Sequence, residues 1–272
     1  MSLLTDLERA ADRRTARHAH GETVYRMWGD PDAPVLVLNH GSFGAWSHWV
    51  RNIEALSRER RVIALDMPGM GESDTPPEPI SAESMGAIVA ECLEQALPNG
   101  ERFEFAGFSF GGIVGGQAVL KLQDRVDRFF VLGSNALDLP IDVRRPMLSP
   151  KRDMSKDELR DVHRNNLDVM MFGDPANIDD LALDLQMLNT SRARVRSGKI
   201  PRGDSLAKAL KAMRLPVHGI WGEKDATAGR YLDQRRALFE ALPHCEGFDV
   251  APGAGHWVAY EAPEFVNRIL LA

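Results

Sequence analysis

Gly107-Phe108-Ser109-Phe110-Gly111 is the segment of this chain best equipped for covalent chemistry. It follows a short aromatic run, Phe103–Ala106, and opens a small-residue stretch containing Gly115 and Gly116. A strand that turns directly into a helix needs space at the turn, which glycines at 107 and 111 supply. The central residue of such an elbow is strained, and its side chain projects above the sheet at a helix N-terminus. There the positive end of the helix dipole favours developing negative charge.

A serine hydroxyl is a weak nucleophile and needs a base, itself oriented by a carboxylate. Both are expected later in the chain, each just after a strand. His256 lies in the glycine-rich turn Gly253-Ala254-Gly255-His256-Trp257 and is the best base among eight histidines. His18 and His20 sit in a polar N-terminal segment, His163 falls mid-helix, and His244 follows a proline. The run Pro216–Trp221 is followed by a loop with two acids, Glu223 and Asp225. Asp225 is the preferred orienting acid, with Glu223 and Asp138 as alternatives.

The transition state also needs donors for an oxyanion. Asn39-His40-Gly41-Ser42-Phe43-Gly44 follows an apolar strand and can expose a backbone N–H beside the nucleophile. The expected donors are the amides of Ser42 and Phe110, with Phe43 replacing Ser42 if the turn is displaced by one residue. His40 reads as a hydrogen-bonding residue that shapes the loop. Phe43, Trp46, Phe108, Phe110 and Trp257 flank these turns and are candidate pocket walls, some of which must instead be core.

The elements that position these residues are readable as well. Short β-rich runs at Val24–Trp28, Val35–Asn39, Arg61–Leu65, Phe103–Ala106, Phe129–Leu132, Pro216–Trp221 and Gly247–Val250 alternate with helical patterns at Ser81–Leu97, Gly111–Leu122 and Gly229–Leu242. Most runs are continuously apolar, the mark of a mostly parallel sheet covered by helices on both faces. The N-terminal stretch from Leu3 to Arg17 reads as a short helix. Between about Asp138 and Ser205 the alternation gives way to helical periods punctuated by prolines, which reads as a helical insertion. The organisation is therefore a core of residues 1–137 and 206–272 interrupted by an insertion at 138–205.

Composition narrows the field. The chain has 272 residues, 44% hydrophobic and 26% charged, with a formal charge of −6 and two cysteines. This is ordinary for a folded protein and gives no reason to expect nucleic acid or an anionic membrane as partner. Cys92 and Cys245 read as reduced, packed thiols. No apolar run approaches a membrane span, the N-terminus lacks signal-peptide character, and neither a metal motif nor a cofactor motif is present. The expectation is a cytoplasmic enzyme without cofactor or metal, acting on a small molecule, with a homodimer as a possible assembly.

Taken together and in this order, the segments resemble the α/β-hydrolase fold superfamily over nearly the whole chain. They are the His40-Gly41 turn, the Asp66–Asp74 loop (DMPGMGESD), the Gly107–Gly111 elbow, the Asp225 loop and Gly255-His256-Trp257. The resemblance implies an eight-stranded, mostly parallel sheet flanked by helices, with a helical cap entered after strand six. Within the superfamily the chain looks closest to meta-cleavage product hydrolases, which cleave C–C bonds, and to related carboxylesterases. Those C–C hydrolases carry HGxGPG, GNSMGG and a cap arginine for the substrate dienoate. Here the corresponding segments read HGSFGAW and GFSFGG, and the arginine position falls on or near Gln186, a further candidate pocket residue. Arg192, Arg194, Arg196, Lys199 and Arg202 follow in a stretch free of acids and read as a solvated basic face or a partner contact, with receipt of a substrate carboxylate by one of them as the alternative.

The expected function is that of a serine hydrolase using Ser109, His256 and Asp225 on a carboxylic ester or lactone. One alternative is C–C bond hydrolysis of a vinylogous diketone. Another, from a different class, is a catalytically silent ligand-binding relative.

Overall fold

The computed structural model describes residues 3–151 and 153–272. Eight strands form one sheet: β1 (Asp12–His18), β2 (Gly21–Trp28), β3 (Val35–Asn39), β4 (Arg61–Leu65), β5 (Phe103–Phe108), β6 (Val126–Leu132), β7 (Val217–Gly222) and β8 (Cys245–Ala251). Their spatial order is β1-β2-β4-β3-β5-β6-β7-β8. The first two pairings, β1 with β2 and β2 with β4, are antiparallel, and all others are parallel.

The apolar runs of the central strands divide between two cores because successive side chains point to opposite faces. Val35, Val37, Phe105, Phe129 and Val131 join one cluster. Leu36, Leu38, Ala106, Phe108, Phe130 and Leu132 join the other. Helices α3 (Ala82–Ala96), α4 (Phe110–Lys121), α7 (Ser205–Ala212) and α8 (Leu232–Glu240) cover the first face. Helices α1 (Leu3–Ala10), α2 (Ile53–Leu56), α9 (Val258–Glu261) and α10 (Pro263–Leu271) cover the second.

The N-terminal stretch corrects the sequence reading. Helix α1 ends at Ala10, and Asp12–His18 is an edge strand rather than more helix. Only Ala16 of its seven residues is buried, so the strand lacks the apolar alternation that would have revealed it. Its arginines at 13, 14 and 17 suit an edge that must not pair with another chain. The strand forms because the β2 backbone is there to pair with, from Asp12 opposite Met27 to His18 opposite Gly21.

Between β6 and β7 the chain leaves the sheet. Two long helices, α5 (Lys156–Met170) and α6 (Asp180–Arg192), are each begun by a side-chain cap: Ser155 in a capping box and Asp179 through the Ala182 amide. Leu167, Leu183 and Leu185 of these helices, with Phe172 and Ile178 from the segment between them, merge with the second core. Among the described residues, no helix is long and apolar enough to cross a membrane.

Every parallel strand ends on the same edge of the sheet. The loops after β3, β4, β5, β6, β7 and β8 therefore converge there, as ligand-binding loops of α/β sheets do.

Candidate active site

Ser109 stands between β5 and α4 with φ 53° and ψ −118°, a strained conformation for a residue with a Cβ. Packing enforces it. A Cβ on Gly111 would lie 2.2 Å from the His40 carbonyl oxygen, and one on Gly107 would lie 2.6 Å from Gly112 Cα. Bulkier residues would push the helix away from the strands. The Ser109 amide donates to the Leu132 carbonyl at 2.7 Å, tying the elbow to the end of β6.

The structure brings Ser109, His256 and Asp225 together, although 31 and 116 residues separate neighbouring members in sequence. His256 Nε2 lies 2.9 Å from Ser109 Oγ, and His256 Nδ1 lies 2.9 Å from Asp225 Oδ2. The second Asp225 oxygen accepts from the Thr227 amide at 2.7 Å and the Thr227 hydroxyl at 2.8 Å. Burial alone would raise the Asp225 pKa. The adjacent imidazole and the Thr227 donors outweigh it and hold the carboxyl below its ordinary range. An ionised Asp225 accepts the Nδ1 proton and leaves Nε2 free to accept from the serine hydroxyl.

The two alternative acids lie elsewhere. Glu223 accepts from the Gly253 amide at 2.8 Å, which braces the histidine loop from outside. Asp138 is exposed, with its own amide donating to the Gly203 carbonyl.

One residue that sequence reading passed over supports the acid loop. Arg235, on α8, is fully buried and donates to the carbonyls of Thr227, Pro140 and Tyr231 and to Asn135 Oδ1. Burial lowers its pKa, while Asp225 is the charge that opposes that shift. In the sequence it looks like any helix-surface arginine.

The turn after β3 abuts the elbow, since a Cβ on Gly41 would come within 3.2 Å of Ser109 Cβ. Two buried histidines hold this turn. His40 Nδ1 meets the Gly41 carbonyl at 2.8 Å, and Nε2 accepts from the Met67 amide at 2.9 Å. Burial pushes its pKa down to about 4, so it is a neutral strut at physiological pH, as its loop-shaping reading anticipated. His48 accepts from the Gly41 amide through Nδ1 at 3.3 Å. Its pKa is driven well below the ordinary value by burial and then by His40 and His256. His48 had no sequence signal beyond lying eight residues after His40. Among the described residues, the amides of Ser42, Phe43 and Phe110 donate to no protein acceptor.

The expected pocket walls divide. Phe43 is half-exposed, with φ 54°. Phe108 and Trp257 are closely packed, 1% and 0% exposed. Phe108 fills the space behind His48 and His256, while Trp257 packs its ring at a tilt against that of His48 and donates to the His48 carbonyl at 2.9 Å. Trp46 lines a cavity of about 510 Å³ with Leu4, Glu8, Asp66, Leu188 and Arg192, a wall that does not include Ser109. Gln186 is half-buried on α6. Three residues on, Asn189 is 1% exposed and exchanges hydrogen bonds with Ser47 at 3.1–3.2 Å. Of the basic residues after α6, Arg194 is tied to the backbone of Gly71 and Ser73, and Arg192 pairs with Glu72 at 3.6 Å. Arg196, Lys199 and Arg202 face solvent.

A family model described as the alpha/beta hydrolase fold matches residues 34–263. The chain is 26% identical to a 2-hydroxy-6-oxononadienedioate/2-hydroxy-6-oxononatrienedioate hydrolase of Paraburkholderia phymatum, covering 98% of both proteins. It is 29% identical, over 91% of its own length, to the dihydrolipoyllysine-residue acetyltransferase component of the acetoin cleaving system of Pseudomonas putida, and spans 65% of that protein. Among solved structures, the esterase RhEst1 from Rhodococcus sp. ECU1013 shares the fold with a TM-score of 0.79 at 19% identity, covering 96% of this chain and 97% of that one. The family match takes in β3, the elbow and both loops that carry Asp225 and His256, and the chain belongs to the α/β-hydrolase fold family.

Proposed function

We propose that the chain is a serine hydrolase in which Ser109 attacks a carbonyl carbon, His256 is the general base and Asp225 orients it. The observation that carries this reading is the continuous hydrogen-bonded line Ser109 Oγ–His256–Asp225, built on a strained elbow beside amides without protein acceptors. His256 takes the serine proton as the new C–O bond forms. The resulting oxyanion is held by the Phe110 amide and that of Ser42 or Phe43, where losing one donor typically lowers the rate by about 10²–10³. His256 then protonates the leaving alcohol, and water attacks the acyl-enzyme with the same base assisting. In this reading α5 and α6 form a cap over the nucleophile, and residues 138–205 are where substrate choice resides.

Esters or lactones are the proposed substrates. A dienoate carboxylate calls for a cation at the cap, but the position that resembles the cap arginine holds Gln186, and Arg194 is occupied by core carbonyls. C–C hydrolysis is the second reading, favoured by the full-length similarity to the Paraburkholderia enzyme. Two measurements decide. A fluorophosphonate should form a covalent adduct on Ser109 and none on the Ser109→Ala protein; folded protein that takes no label defeats the hydrolase reading in favour of a silent binder. Short p-nitrophenyl esters should be cleaved much faster than a yellow ring-fission product, and the reverse order would place C–C cleavage first.

A further inference from the structure

The residues on either side of His256 are tied to the turn between α5 and α6, Trp257 directly and Gly255 through a carboxylate. On one side the Trp257 amide donates to the Met171 carbonyl at 2.8 Å. On the other, the Gly255 amide donates to Glu261 Oε2 at 2.7 Å. That same oxygen accepts from the Gly173 amide at 2.8 Å, and Oε1 accepts from Asn177 Nδ2 at 3.1 Å. Glu261 ends α9, the short helix directly after the histidine loop, and its carboxylate reaches back to that loop and across to residues 173–177. The two backbones are in contact without side chains between them. A Cβ on Gly255 would lie 2.3 Å from the Gly173 nitrogen and 2.4 Å from the Phe172 carbonyl carbon. Tyr260 extends the seam: its hydroxyl donates to Asp179, the N-cap of α6, at 2.6 Å.

We propose that Glu261 is a positioning residue that couples the α5–α6 turn to His256, so that the place of the imidazole relative to Ser109 depends on how these helices are docked. The inference rests on the serine-hydrolase reading. One carboxylate oxygen serving N–H donors from two separate segments holds them a fixed distance apart through charge-assisted bonds. Without it, neither amide has its acceptor and both loops are free to separate. The catalytic geometry tolerates little of this, because a shift of about 1 Å at a reacting group can lower the rate about 10²-fold.

Three variants separate bridging from bulk and charge. Glu261→Gln keeps an oxygen where both amides can reach it, and Asn177 can rotate its own amide to match. Glu261→Asp keeps the charge but is one methylene too short to reach both loops, and Glu261→Ala removes the bridge. With a short p-nitrophenyl ester, Asp and Ala should lower kcat roughly 10- to 100-fold with KM within about threefold, while Gln stays close to wild type. Amide hydrogen exchange supplies a readout that needs no activity. In Glu261→Ala, peptides covering 171–177 and 253–257 should exchange faster together, while the β5–α4 peptide, unchanged, reports an intact fold. An unchanged kcat in the Ala variant, a Gln variant as impaired as Ala, or faster exchange in one loop only would overturn the coupling. If wild-type protein neither cleaves esters nor labels at Ser109, the hydrolase reading falls while the exchange result still decides whether Glu261 joins the two loops.

Discussion

Asp225 is buried, yet its carboxyl is held below the ordinary carboxylate range, because His256 and the Thr227 donors favour the charged form more than burial penalises it. Its charge and its acceptor geometry are thus both part of the site. Replacing it with Asn keeps the shape but points an amide N–H₂ at Nδ1, which stabilises the tautomer with the proton on Nε2, unable to accept from Ser109. Asp225→Asn should lower kcat by on the order of 10⁴ with little change in the folded structure, measured by steady-state ester hydrolysis and circular dichroism. The same pKa shift has a stability consequence of known sign. A carboxyl lowered by folding stabilises the native state above its unfolded pKa, about 3.9, and that contribution is lost as pH falls from there through the folded value. Wild-type protein should therefore lose this component of stability below about pH 4, and the Asn variant should lack it.

Helix α6 is the element that joins the excursion to the rest of the site. Its N-terminus is held through Asp179, which caps the Ala182 amide and also accepts from Tyr260 and Arg51. Near its other end, Asn189 meets Ser47, four residues past Phe43 in the segment that carries the proposed oxyanion amides. This is a buried polar pair, so removing one partner leaves the other without its hydrogen bond. Asn189→Ala should cost about 1–3 kcal/mol of stability in denaturant unfolding. A paired Asn189→Ala, Ser47→Ala protein should recover part of that loss, since both polar groups are then gone. A single variant as stable as wild type would show that the pair contributes nothing to docking α6.

At the scale of the whole molecule, Arg26 binds the N-terminal elements to the loop edge of the sheet. It is 1% exposed and lies 3.3 Å from the equally buried Asp66, with Glu8 of α1 at 2.9 Å and Glu72 at 3.2 Å. Asp66 in turn accepts from the Trp46 and Glu72 amides. Burial is the largest influence on Asp66 and leaves its pKa raised, so it depends on these partners to remain ionised. Arg26→Met strands that charge and should destabilise the protein by about 3–5 kcal/mol, as breaking one side of a buried ion pair does. Glu8→Ala, which removes a partner that is 44% exposed, should cost about 0–1 kcal/mol. Urea unfolding of the two variants checks the ranking, and equal losses would contradict the assignment of Asp66 as the buried partner that matters.

What was legible in the chain follows from how local each constraint is. The elbow at 107–111, the turn at 40–44 and the Gly255-His256 loop each need particular residue types within five positions, because backbone strain and close approach exclude most side chains there. The buried central strands were legible because a run of apolar residues has few other uses. Strand β1, by contrast, is charged and exposed, and only its pairing with β2 makes it a strand. Arg235, His48, Asn189 and Glu261 carry no local signature at all. An arginine on a helix, an asparagine near a helix end and a glutamate two residues before a proline are ordinary surface residues until the fold decides what lies opposite them. Thus residue chemistry and order alone determined the family of folds and the three side chains proposed to react. The tertiary structure decided which aromatic residues are core, which turn amides are left without partners and which buried polar groups hold the loops in place. Those are properties of contacts between segments distant in sequence, and no one segment contains them.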